Sequence, residues 1–167
     1  MFELKPLHRE AIPRALEKAE RYRLLNEPGE AESICLDVLR ADPDSQEALV
    51  ILLLALTDRF NKAYAVSAQQ AQEVLARLRG EYERTYYAGL VCERRAKARL
   101  AQGGPGAGFV AYEGLHEAMH WYGRAEAIRP PGNDDALLRW NTCARILMNN
   151  RHLAPAPEER SAPILDD

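Results

Sequence analysis

Two stretches of the chain fall into register, EAESICLDVLRADP at residues 30–43 and EAMHWYGRAEAIRP at residues 117–130. Each opens on Glu-Ala and closes on proline. Between those ends the apolar positions coincide: Ile34 with Trp121, Cys35 with Tyr122, Val38 with Ala125. Apolar residues that return at three- and four-residue steps mark one face of a helix. The closing proline lacks a backbone N–H and cannot carry the helix further. One helical unit therefore recurs, and the fold class follows from what surrounds it.

Outward from these stretches, no segment alternates with period two, and alanine, leucine, glutamate and arginine dominate. The spacing predicts seven helices, over roughly 8–25, 30–41, 45–59, 62–79, 81–102, 109–129 and 134–150. Pro28-Gly29 reads as the end of the first helix, and Asp42-Pro43-Asp44-Ser45 as a stop followed by an N-cap. The glycine-rich run from Gly103 to Gly108 cannot continue a helix, and Pro130-Pro131-Gly132-Asn133 stops one and caps the next. The longest apolar run, ALVILLLAL at residues 48–56, is far short of the ~20 residues that cross a bilayer and reads as a helix buried on nearly every side. Residues 1–152 form one helical domain on this reading. Residues 153–167, proline-rich and acidic, read as a disordered tail.

The recurring unit resembles the second helix of a tetratricopeptide repeat. That family places a small residue early, an aromatic four residues on, a small residue three further and a closing proline. Ala118, Tyr122, Ala125 and Pro130 fill all four slots, whereas Ala31 and Pro43 fill the outer two in the earlier copy, with Cys35 and Val38 between. Ala19 and Tyr22 match the small-then-aromatic pair of the family's first helix, and Gly89 with Cys92 stands in its place later on. A middle unit, with Leu53, Leu56, Ala71 and Leu75 in the slots, lacks the closing proline. The resemblance covers about residues 13–150. It implies an all-α, right-handed α-solenoid of about three antiparallel helix pairs plus a C-terminal helix, and a function in protein–protein interaction.

A competing motif lies inside the same stretch. His116-Glu117-x-x-His120 is the helix spacing that places two imidazoles on one zinc ion, with the glutamate activating a water. At about 100° per residue the two histidines share one side of a helix. A third ligand is harder to find. Glu126, six residues beyond His120, is rotated roughly 240° and raised ~9 Å if the helix continues, and Gly123 alone does not force a break. Surface histidines on a repeat helix are the expected reading, with a zinc-dependent hydrolase using His116 and His120 as the alternative. Gly103–Gly108 lacks the Lys-Ser/Thr ending of a phosphate loop and follows a helix rather than a strand. No cofactor and no catalytic constellation is implied.

The interaction surface is expected where the first helices of successive pairs line the concave side. The residues placed there are Leu16, Glu20 and Arg23, then Val50, Leu54 and Asp58, then Tyr86, Leu90, Arg94 and Lys97. The last helix adds Leu137, Asn141, Arg145 and Met148. Arg23, Tyr86, Arg94, Lys97, Asn141 and Arg145 would make a basic, amide-bearing strip suited to an acidic or C-terminal peptide. Leu16 and Glu20 stand where the chaperone-binding branch of the family opens its carboxylate clamp with lysine and asparagine, which speaks against that role. The acidic tail is a candidate placeholder ligand for the same groove, and self-assembly into a homo-oligomer is the remaining class.

Composition bounds these readings. With 47% hydrophobic residues, the 167-residue chain can bury a core of its own. A net charge of −3 gives no basic surplus for nucleic acid. The charged first twenty residues hold no secretory signal, so no membrane role is expected. Cys35, Cys92 and Cys143 are odd in number and widely spaced, as small buried hydrophobes in a reducing cytoplasm would be.

Overall fold

In a computed structural model of the chain, which describes residues 1–62 and 64–157, seven α-helices follow one another. A 3-10 turn at Arg9–Ala11 leads into α1 (Ile12–Leu24), followed by α2 (Pro28–Ala41), α3 (Gln46–Thr57) and α4 (Tyr64–Ala76). Then come α5 (Glu81–Gln102), α6 (Ala107–Ala127) and α7 (Asp135–Asn149), and no strand occurs among the described residues.

The first corner departs from the expectation that Pro28-Gly29 ends α1. Asn26 ends it, with φ at +61°, in a conformation that asparagine tolerates better than most residues. The Glu27 N–H donates to the Tyr22 carbonyl at 2.9 Å and the Asn26 N–H to that of Arg23 at 3.0 Å, which satisfies two otherwise orphaned carbonyls. Pro28 instead opens α2, where its missing N–H costs nothing. The second corner is as expected: the Ser45 hydroxyl accepts from the Ala48 N–H at 3.3 Å and caps α3. In the glycine-rich run Gly103, Gly104 and Gly106 all take positive φ, whereas Gly108 already lies inside α6.

Each helix packs on the next, and α1 also packs on α3 and α3 on α5. α5 and α6 approach closely. A Cβ on Gly89 would stand 2.8 Å from the Tyr122 ring, and one on Gly114 would stand 2.8 Å from the Ala96 Cβ. Glycine at both positions therefore lets the two backbones close up.

Two apolar clusters result. One gathers α1–α4 around Leu49, Leu53, Leu56 and Phe60 and reaches Val91 of α5. The other gathers α5–α7 around Leu115, Tyr122 and Cys143. The residues in the recurring slots, Ala31, Cys35 and Val38 in α2 and Ala118, Tyr122 and Ala125 in α6, are all fully buried. The second cluster also takes in Leu153, only 5% exposed, although the sequence reading began the tail at that residue. The His152 carbonyl lies 3.0 Å from where a Cβ on Gly108 would be, so glycine there admits the segment against α6. The remaining tail, residues 158–167, lies outside the described residues.

Candidate functional site

Polar chemistry concentrates where the odd-numbered helices meet. Asp58 follows the last residue of α3, and two arginines converge on it from either side. Arg23 of α1 brings its Nε within 2.8 Å of Oδ2, an electrostatic contact because that N–H is not aimed at the oxygen, and its Nη2 donates to Oδ1 at 3.5 Å. Arg94 of α5 donates from Nη1 to Oδ1 at 2.7 Å. One turn along α5, Lys97 lies 3.7 Å from a Glu93 oxygen.

Glu93 itself has no solvent exposure, and the protein surrounds its carboxylate with donors. Arg139 of α7 donates from Nη2 to Oε2 at 2.5 Å, and the Cys143 thiol donates to Oε1 at 3.2 Å. Burial first, and the Glu93 carboxylate second, push the Cys143 thiol up to about 12, which keeps it protonated and able to donate. The Tyr122 hydroxyl is buried beside this pair, facing Arg139 without a well-directed hydrogen bond.

Above these pairs opens a cleft of about 660 Å³, walled by Arg23, Arg94, Lys97 and Arg139 around Asp58. Asn26 and Asn61 stand at its rim, and Leu24, Ala98 and Ala101 supply an apolar side. Four cations against the two carboxylates of Asp58 and Glu93 leave a local surplus of two positive charges, in a chain whose net charge is −3. Such a cleft attracts an anion and offers amide groups to a peptide backbone.

Of the residues expected to form the basic strip, the structure brings Arg23, Arg94 and Lys97 together in this cleft. Tyr86 is half-buried among aromatic rings, stacked on Tyr82 at 5.9 Å and 5.7 Å from Tyr122, and burial pushes its hydroxyl up to about 12. Asn141 and Arg145 are elsewhere. Arg139 and Cys143 are the α7 residues that face Glu93. Asn141 and Arg145 each lie two residues further on, some 200° round the helix. Leu16 and Leu90, expected on the concave side, belong to the buried interior.

Glu93, Arg139 and the bridging role of Asp58 were missed in the sequence reading. A signal for Arg139 was present: Cys143 read as core, and a residue one turn earlier must share its face.

His116 and His120 are both exposed on α6, and the His116 ring stacks on Tyr112 at 5.8 Å. Among the described residues no group of three or more His, Cys, Asp or Glu side chains is placed to hold a metal ion. No described helix is long and apolar enough to cross a membrane.

No protein-family model, curated protein or solved structure matches this chain. The functional reading therefore rests on the cleft.

Proposed function

We propose that this chain is a protein–protein interaction module, an adaptor or assembly factor that takes an acidic or C-terminal peptide segment in the cleft around Asp58. The single observation that carries the reading is the surplus of positive charge there, on side chains from three odd-numbered helices, within an acidic protein. The cleft volume lies inside the roughly 300–1,000 Å³ usual for ligand sites. Guanidinium groups suit carboxylates because their paired N–H groups match two oxygens at once. The rim asparagines would hold the peptide main chain, and the apolar side would take a neighbouring aliphatic residue.

The architecture behind this proposal is a tetratricopeptide-like α-solenoid of about three helix pairs plus a C-terminal helix. Its support is the equal burial of the recurring slots in α2 and α6, and the packing of α1 on α3 and α3 on α5. A reducing, cytoplasmic setting fits three buried, unpaired cysteines.

Titration of the protein with a library of acidic peptides bearing free C-terminal carboxylates tests the function. Binding is expected to weaken by about tenfold or more in Arg94→Glu/Lys97→Glu, to fall with salt, and to be indifferent to Arg145→Glu. If no acidic peptide binds, or the double reversal binds as the parent does, the proposal is wrong. The alternative, a zinc-dependent hydrolase, needs a third ligand beside His116 and His120. One zinc per chain by plasma mass spectrometry, lost with His120→Ala, would favour it.

A further inference from the structure

The face of α7 opposite its buried Ala136 and Cys143 carries a repeat of its own. Leu138, Asn141, Arg145 and Met148 follow one another at steps of three, four and three residues. At about 100° per residue the four fall within about 80° of arc, on the side away from Ala136 and Cys143. Steps of three and four in alternation are the a/d seam by which one helix packs along another. Among the described residues no helix covers its two ends. Leu138 is 59% exposed and Met148 76% exposed, two large apolar side chains at the two ends of the stripe.

Along the stripe the chemistries run apolar, amide, cation, apolar, an order that complements its own reverse. In an antiparallel pair, a positions meet d positions, so a second copy would set its Met148 on Leu138 and its Arg145 on Asn141, twice over by symmetry. The Asn141 carbonyl oxygen accepts from the guanidinium facing it. A parallel pair would instead place Arg145 against Arg145, a like-charge contact that nothing offsets. The helix ends agree with the antiparallel sense. Asp135 stands at the start of α7 and Arg151 just beyond its end, so antiparallel pairing brings these opposite charges to neighbouring ends.

We propose that two copies of this chain associate through antiparallel pairing of their α7 helices along the Leu138–Asn141–Arg145–Met148 seam. The surface is separate from the Asp58 cleft and rests on nothing assumed about it. A helix of 15 residues is about 22 Å long, so one helix pair buries less than roughly 1,200 Å² and gives a weak, concentration-dependent dimer.

Sedimentation equilibrium of the full chain, from micromolar to millimolar protein, is the test. The mass is expected to climb from 18.8 kDa toward twice that value as concentration rises. Met148→Glu should abolish the climb with the helical signal unchanged, since the side chain is exposed. Asn141→Asp, which offers each Arg145 a carboxylate across the seam, should tighten association several-fold at low salt. Asn141→Arg should weaken it, and adding Arg145→Asp to that variant should restore it. A chain that stays monomeric to millimolar concentration overturns the proposal, leaving the seam to a different partner. So does a dimer indifferent to Met148→Glu, or one that Asn141→Asp loosens.

Discussion

Glu93 of α5 is fully buried, and Arg139 of α7 pairs with its carboxylate. A carboxylate without solvent exposure persists only where donors replace its lost water; Arg139 and Cys143 of α7 supply them, and the Lys97 ammonium of α5 adds its charge from 3.7 Å. Glu93→Gln removes the charge and leaves Arg139 half-buried without a counter-ion. We expect a loss of about 2–4 kcal/mol, below the top of the range for a fully enclosed pair because the Arg139 side chain is 29% exposed. Replacing both partners with apolar residues, as in Glu93→Leu/Arg139→Met, should recover most of that. A urea midpoint for the double variant no higher than for Glu93→Gln would show that the pair is not what the single change disrupts. Sequence logic reached Arg23, Arg94 and Lys97 of the cleft, though not Arg139, because charge on a helix face can be counted. It misplaced Asn141 and Arg145 because the register of α7 depends on which side Glu93 occupies, and that is a contact between segments 46 residues apart.

At the scale of an element, glycines in helices separate two causes that look alike in sequence. Gly89 and Gly123 both sit inside helices, and each ought to cost about 1 kcal/mol relative to alanine. A Cβ on Gly89 would run into the Tyr122 ring at 2.8 Å, whereas one on Gly123 would meet nothing within 4 Å. Gly123→Ala should therefore stabilise by about 0.5–1 kcal/mol, and Gly89→Ala should destabilise by about 1–3 kcal/mol despite its better propensity. Thermal melts of the two variants are expected to move in opposite directions, and a rise for both would mean α5 and α6 pack less tightly than described. The helices themselves were legible from spacing, with ends within a few residues. Pro28 was misread because a proline stops one helix and starts another by the same missing N–H. Asn26, already in the left-handed conformation, decides which.

The whole molecule joins two apolar clusters, α1–α4 and α5–α7, through Val91 and the Arg94–Asp58 pair, whereas the Glu93 pairs tie α5 to α7 within the second. All three cysteines sit inside those clusters, and burial raises Cys35 and Cys143 to about 12 and Cys92 to about 11, from an ordinary 9.0. A raised folded pKa means that above about pH 9 the unfolded chain loses protons that the folded chain keeps. Stability is then intact below pH 9 and falls between about 9 and 12, each thiol adding up to about 1.4 kcal/mol per pH unit. Under reducing conditions the melting temperature should drop along that limb, and Cys35→Ala/Cys92→Ala/Cys143→Ala should make it shallower, leaving above about pH 10 the part owed to buried tyrosines such as Tyr86 and Tyr122. A limb equally steep in the triple variant would assign the loss to other groups. Hydrophobic spacing and capping act within a few residues, and so they placed the helices, most of their ends and the apolar faces that had to be buried. Which charges share a cleft, and which side of α7 carries exposed Leu138 and Met148, emerged only when the helices packed. Those outcomes depend on the rotation of each helix against its neighbours, fixed by side-chain contacts such as Gly89 on Tyr122 and Glu93 on Arg139 that no local pattern records.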